Sequence, residues 1–277
     1  MMNKLPHAVS LVGAGPGDPE LLTIRAYQRI QAADVILSDD LVDPRVLALA
    51  NPAARILYVG KRGGCVSTEQ RFIHDLMIRE ARSGARVVRL KGGDPFMFGR
   101  GAEEVDALRE VGIAVEVVSG LTSGIAAPAS IGIPVTDRRH APGVAFVTGH
   151  SRDGARAGDG PDWAALARSR LTLVIYMGLS QAEHIVQALI AGGLAADTPA
   201  AAISAAHTAQ QRQQVCLLAE LPAMLMREQL PSPAILVVGQ VVRQAQAWAD
   251  LQLNLQSSAP RTTQQTQLSA QARLRRA

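Results

Sequence analysis

Aromatic residues make up only 3% of this 277-residue chain, which leaves little stacking surface for single-stranded nucleic acid. Cysteine is nearly absent. Cys65 and Cys216 cannot build a disulfide framework and lack metal-site spacing, so they read as two small buried or half-buried thiols in a reducing cytoplasm. No apolar run approaches the roughly 20 residues that cross a bilayer, and Met1–His7 has no apolar core of a signal peptide. No membrane partner is expected. Excess charge of one sign is also missing from the body of the chain, despite a pI near 9.5. Residues 251–277 hold four arginines (Arg261, Arg273, Arg275, Arg276) and no acid, and without them 24 basic residues face 24 acidic ones. Bulk charge therefore gives no support for nucleic-acid binding. The terminal stretch, rich in Gln, Ser, Thr and Ala, has the composition of a disordered tail.

What is present is a core-forming composition, 48% hydrophobic against 19% charged, over a length that suits one large or two ordinary domains. Short β-rich runs alternate with helical patterns. Ala8–Val12, Asp34–Leu37, Ile56–Val59, Ala85–Leu90 and Val115–Val118 read as strands. After Gly120 the pattern restarts with Val144–Val147, Leu171–Tyr176, Ala200–Ser204 and Ile235–Val238. The clearest helix follows Ser67, which has capping-box spacing to Gln70 and places Phe72, Ile73, Leu76 and Met77 on one face. Further helices are expected at Thr122–Ser130, Trp163–Arg168 and Ser180–Ala191, and a surface loop at Ser151–Pro161. Such alternation predicts a mainly parallel sheet covered by helices. Pattern alone accommodates one large doubly wound sheet as well as two domains.

The most specific segment is Lys91-Gly92-Gly93-Asp94-Pro95-Phe96-Met97-Phe98-Gly99-Arg100-Gly101. It follows an apolar strand, and so places bare backbone and one carboxylate at the carboxyl edge of a sheet, where open α/β sheets bind ligands. Adjacent glycines let a ligand meet the main chain closely. A bare Gly-Gly-Asp-Pro also fits an ordinary strand-to-helix turn; the eleven-residue string is far more particular. A second loop, Gly13-Ala14-Gly15-Pro16-Gly17-Asp18, imitates a dinucleotide fingerprint, with Asp39–Asp40 near the distance of a ribose-binding acid. Asp18 stands where Gly or Ala should permit close helix packing, and Pro16 removes a backbone donor. Asp18 is better suited to capping a helix that begins around Pro19.

Together with Val12–Thr23, Gly60-Lys61-Arg62, Gly120-Leu121-Thr122-Ser123, Gly132–Thr136, Thr148-Gly149-His150, Tyr176-Met177-Gly178 and Pro233–Val242, this string resembles the signature of the tetrapyrrole methylases. The blocks lie in the family's order and cover roughly residues 8–243. The resemblance implies an α/β fold of two α/β domains, with a cofactor cleft between them. The domains would span 1–119 and 120–245, with the tail at 246–277. It implies S-adenosylmethionine as methyl donor, no metal, uroporphyrinogen III as substrate and a homodimer as the assembly. Transfer to two ring carbons of uroporphyrinogen III would yield precorrin-2. A relative acting on a later corrinoid, on RNA or on diphthine, or a non-catalytic regulator that binds the donor, remain the alternatives.

By the same resemblance Pro16, Gly92, Gly93, Asp94, Met97, Thr122, Ser123, Met177 and Ala206 match donor contacts. Asp39 matches a proton acceptor and Lys61 a proton donor. Read from residue type alone, Met177 is an ordinary core methionine, Thr122 and Ser123 are helix caps, and Asp39, Asp40 and Lys61 are solvated charges. Asp40 stands next door as a competitor for the place of Asp39. Arg100, at the end of the ligand loop, can grip a substrate carboxylate bidentately; Arg62 and Arg138 are further candidates. His150 reads as a packed or capping residue. The chain departs from the family pattern at His74, Ser119, Ser130 and Asp137, where Asn, Pro, Tyr and His are expected. An acid at 137 near a polyanion is unfavourable unless Arg138 or Arg139 pairs with it.

Overall fold

A computed structural model describes residues 7–60, 70–150 and 160–251 of the chain. Two sheets follow one another in sequence, joined at residues 119–122. In the first, strands β1 (Val9–Gly13), β2 (Val35–Ser38), β3 (Arg55–Tyr58), β4 (Val87–Lys91) and β5 (Val115–Val118) are ordered β3-β2-β4-β1-β5, and every pair is parallel. Strands β1, β2 and β4 are buried along their whole length, as a parallel sheet covered on both faces requires. Helices α1 (Ile24–Ala32) and α2 (Pro44–Leu47) cover one face, with Ala26, Ile30 and Val46 against Val12, Ile36 and Leu90. Helices α3 (Gln70–Arg82) and α4 (Gly101–Glu110) cover the other, with Ile73, Met77 and Leu108 against Leu11 and Leu37. Each such fully buried side chain contributes on the order of 1.5–3 kcal/mol.

Beyond α5 (Ser123–Ser130) come β6 (Val144–Thr148), α6 (Trp163–Arg168), β7 (Thr172–Tyr176), α7 (Ala182–Ala191), β8 (Pro199–Ser204), β9 (Arg212–Leu217), α8 (Leu221–Glu228) and β10 (Ala234–Val238). The second sheet is ordered β6-β7-β10-β8-β9. Here the expectation of a mainly parallel sheet fails. Only β6 and β7 run parallel, while β10 is antiparallel to both β7 and β8, and β8 to β9. The seven-residue connection from Ser204 to Arg212 reverses the chain, and so short a link can join only antiparallel neighbours. The sequence reading also missed β9 itself, because its run Arg-Gln-Gln-Val-Cys-Leu is an edge strand with polar, exposed residues at one end.

Asp18 does cap a turn, its Oδ1 accepting the Glu20 N–H at 3.0 Å, but that turn is a three-residue 3-10 piece. The helix proper starts at Ile24, capped by Thr23, whose Oγ1 accepts the Ala26 N–H at 3.1 Å. At the far end, residues 246–251 are helical and Trp248 is buried against Val241, Val242 and Ala245. A disordered tail beginning at 246 is thus ruled out; the remaining 252–277, like Ser67 and most of the Ser151–Pro161 loop, lie outside the described residues. Cys216 is buried, and burial pushes its thiol up to about 12; Cys65 lies outside the described residues.

Candidate active site

The carboxyl ends of β1 and β4 release two glycine-bearing loops side by side. Ala14 donates its N–H to the Lys91 carbonyl at 2.7 Å, and Gly15 and Gly93 exchange both backbone hydrogen bonds at 3.2 and 2.8 Å. The link between the sheets crosses directly over this pair. A β-carbon on Gly120 would lie 2.2 Å from the Gly93 carbonyl oxygen, and one on Gly13 would lie 2.5 Å from the Gly120 nitrogen. Three backbones therefore touch with no room for a side chain. The Asp94 carboxylate fixes the crossing: Oδ1 accepts the Phe96 N–H at 2.8 Å and Oδ2 the Gly120 N–H at 3.1 Å. The two adjacent glycines serve different ends. A β-carbon on Gly92 would strike the Leu41 side chain at 2.9 Å. One on Gly93, whose φ is +66°, would face the start of α5 with its nearest atom, the Thr122 Cα, 3.7 Å away.

The opposite wall comes from the second sheet. Tyr176, the last residue of β7, sends its hydroxyl to the first turn of α5, where Gly124 donates its N–H to it at 2.7 Å and Thr122 Oγ1 lies 2.7 Å away. Gly124 must be glycine, since a β-carbon would fall 2.2 Å from that hydroxyl oxygen. The Tyr176 ring packs on Phe98 of the ligand loop at 4.8 Å between centroids. Burial raises the phenol above its ordinary range, against the opposing pull of its hydrogen bonds with Thr122 and Gly124. Thr122 is thus a cap position whose hydroxyl serves Tyr176 rather than its own helix. Met177 follows in the left-handed region, with φ 53°, and is 49% exposed, which overturns the reading of it as a core methionine. The turn after β8 also carries left-handed residues, Ala205 and His207, on either side of buried Ala206. This turn closes on the first loop: a β-carbon on Gly17 would lie 2.9 Å from Thr208 and 3.4 Å from the Ala206 carbonyl. Arg45, paired with Asp43, reaches the His207 carbonyl at 3.2 Å. Pro16 and Met97 are both half-buried, Pro16 between Gly15 and Gly17 and Met97 against the core of the second half.

The charged candidates separate. Asp39 sits just past β2, its N–H donated to the Leu90 carbonyl at 3.1 Å, and its carboxylate is held by Arg89 and lies 3.8 Å from the Lys91 ammonium. Asp40 turns outward and lies against Gly60. Arg100 is exposed and grips Glu103 through two hydrogen bonds of 2.9 and 2.6 Å. Arg138 is exposed, with no side-chain hydrogen bond or ion pair to another described residue. Its neighbour Arg139 pairs with Asp137, whose carboxylate also accepts from Gln244; these bonds hold that carboxyl far below the usual range. Lys61 and Arg62 lie outside the described residues. His150 is exposed rather than packed, and its backbone N–H is donated to Thr148 Oγ1 at 3.2 Å.

Sequence reasoning passed over Tyr176, Arg89 and Glu104. The signal for Arg89 was available, because a charge inside the apolar run Val-Val-Arg-Leu must find a buried partner. A cavity of about 270 Å³ lies at the opposite, amino edge of the first sheet, but its arginines are committed, Arg29 to Glu116 and Arg86 to Asp34. Among the described residues no group of acids, histidines and cysteines could hold a metal, and no helix is long and apolar enough to cross a membrane.

Residues 8–222 match the family model of the tetrapyrrole (corrin/porphyrin) methylases. The chain is 52% identical over 236 residues to a uroporphyrinogen-III C-methyltransferase of Pseudomonas aeruginosa, covering 85% of this chain and 94% of that one. It is 50% identical over 238 residues to a sirohaem synthase of Chromobacterium violaceum, of which it spans only half the length. Among solved structures, the uroporphyrin-III C-methyltransferase of Thermus thermophilus complexed with S-adenosylhomocysteine superposes with a TM-score of 0.73 at 42% identity, over 85% of this chain and 99% of that one.

Proposed function

The chain belongs to the tetrapyrrole methylases, and from that premise we propose that it transfers methyl groups from S-adenosylmethionine to ring carbons C-2 and C-7 of uroporphyrinogen III, giving precorrin-2. The observation that carries this reading is the cleft itself. The Gly13–Asp18 and Gly92–Arg100 loops meet each other and the link into α5, Tyr176 of the second sheet packs on Phe98, and the turn at Ala206 closes on Gly17.

The residues fit the donor. Gly93 offers bare backbone, its nearest neighbours being Thr122 and Ser123 at the start of α5, and Met177 is half-exposed at the end of β7. Bound there, the donor supplies an electrophilic methyl group on a sulfonium. Methyl transfer of this kind depends on in-line placement and exclusion of water more than on a charge clamp. The three touching glycines and the Asp94 carboxylate give the cleft floor a fixed backbone, and Phe98 and Tyr176 give it an apolar side. Methylation at carbon also releases a proton from the macrocycle, and Asp39, 27% exposed at the rim, takes it. Lys61 is the proposed proton donor. Pro16, Gly92, Asp94, Met97, Ser123 and Ala206 complete the proposed donor cradle. Arg100 trades Glu103 for a substrate carboxylate, and Arg62 and Arg138 are second candidates for the same task. The working assembly is a homodimer in the cytoplasm, with no metal.

Incubation with S-adenosylmethionine and uroporphyrinogen III, followed by mass spectrometry, tests the reading. Two added methyl groups are expected. A protein that binds S-adenosylhomocysteine but leaves the tetrapyrrole unmodified would be a regulator instead.

A further inference from the structure

Beneath Asp39 lies a closed ring of four charges. Arg89 donates to an Asp39 oxygen and, through Nε, to Glu104 Oε1 at 2.9 Å. Lys91 Nζ lies 3.1 Å from Glu104 Oε2 and 3.8 Å from Asp39 Oδ2. The side chains of Arg89, Lys91 and Glu104 are 2%, 5% and 0% exposed, whereas that of Asp39 is 27% exposed. Four charges with no net charge are thus sunk in an apolar core, and only one of them reaches the cleft. Burying charges gains little or no stability over an apolar core of the same shape, so stability does not account for the ring. Arg89 Nη1 donates to the Leu37 and Leu90 carbonyls at 3.3 Å, which locks the guanidinium to strands β2 and β4. Both cations stand on one face of β4, two residues apart.

We propose that Glu104, Arg89 and Lys91 are positioning residues that set the orientation and proton affinity of Asp39 from below; this rests on the reading of Asp39 as the proton acceptor. The charged and titratable groups around Asp39 come from several elements. Strand β4 supplies Arg89 and Lys91, and α4 supplies Glu104, whose charge Arg100 also feels. Gln70 of α3 donates to Glu104 at 3.3 Å and lies 3.2 Å from His74. Asp40 and the Asp43–Arg45 pair share its loop, and Tyr58 ends the neighbouring strand. Glu104 is the ring's only other anion. Removing its charge leaves two cations facing Asp39 alone, which favours the ionised carboxylate and demands a lower pH to protonate it. Removing a cation does the opposite.

The experiment is the pH dependence of kcat/KM for methyl transfer to uroporphyrinogen III. Glu104→Gln should move the acid limb down by about one pH unit and Lys91→Met should move it up by about as much. The double variant, again without net charge, should bring it back near the parent position. Glu104→Asp keeps the charge but shortens the reach; it should leave the limb in place and lower kcat about tenfold with little change in KM. If the single charge variants do not fold, Glu104→Asp decides: an unchanged kcat there overturns the proposal. Where they fold, limbs that stay fixed in both, or that move in one direction for both, overturn it, as does a double variant displaced from the parent. Asp39→Asn is the control. If it keeps near-normal turnover, the acceptor assignment fails; if it abolishes the limb while the ring variants leave it in place, only the ring proposal fails.

Discussion

The two sheets bury their interiors in opposite ways. The first sets four charged groups into its carboxyl edge and holds them in a closed ring. The second buries β8, a run of Pro-Ala-Ala-Ala-Ile-Ser, and β10, Ala-Ile-Leu-Val-Val, with no charged residue in either. A parallel sheet directs all its strand ends toward one edge, so side chains from β2 and β4 converge beneath one loop. A mixed sheet disperses its ends, and what it lends the cleft is shape: a tyrosine hydroxyl, an exposed methionine and a turn of small residues. The proposed acid–base chemistry falls in the first half and the proposed far wall of the donor site in the second.

Breaking the contact between the halves should have the largest effect. Gly120→Val drives a side chain into the Gly93 carbonyl and the Gly13 backbone, atoms that cannot yield. A loss of about 4 kcal/mol or more, with no measurable S-adenosylhomocysteine binding, is expected in denaturant melts and calorimetry. Gly193→Ala is the matched control in the second half. Its φ is +104° with nothing within 4 Å, so only backbone strain of about 1–2 kcal/mol is expected, with donor affinity retained. Equal losses at the two sites would erase the distinction between a shared floor and a peripheral turn. Tyr176→Phe comes next. It leaves the Gly124 N–H and the Thr122 hydroxyl without their partner, which costs about 1–3 kcal/mol. Donor affinity should fall with it, because the start of α5 loses its anchor; unchanged affinity would confine the second sheet to a structural role. The smallest effect lies far from the cleft, at Asp34. Hydrogen bonds from Arg86 lower its carboxyl to about 2. Its contribution is therefore complete above the ordinary carboxylate range and is lost as pH falls through about 2. The pair is half-exposed, so Asp34→Asn should cost less than about 1 kcal/mol at neutral pH and flatten the acid limb of the stability curve.

Much of this was legible in the chain itself. The five strands of the first sheet announce themselves as short apolar runs, and the Gly92–Arg100 loop follows the strand that the pattern gives it. The second sheet was read less well for a physical reason. Strand direction is not encoded in hydrophobic period, and an edge strand such as Arg212–Leu217 offers too few apolar residues to register. Trp248 was hidden by its surroundings, since one buried aromatic in a polar, Gln-rich context gives no periodic signal. The site was legible by residue type but not by partnership. Nothing in the string shows that Asp94 ties two backbone N–H groups, that Arg100 is held by Glu103, or that Asp39 rests on buried cations. Those pairings join residues up to 52 positions apart, as in Asp39 and Lys91.

In the proposed mechanism one carboxylate at the rim of the parallel sheet takes the proton while the rest of the cleft holds the donor. Single-turnover methyl transfer in Asp39→Asn and Asp40→Asn, with S-adenosylhomocysteine affinity measured on the same samples, separates the two roles. Asp39→Asn should bind as the parent does and transfer the methyl group about a hundredfold more slowly, and Asp40→Asn should match the parent in both. Near-normal transfer by Asp39→Asn, or a collapse confined to Asp40→Asn, would contradict the account.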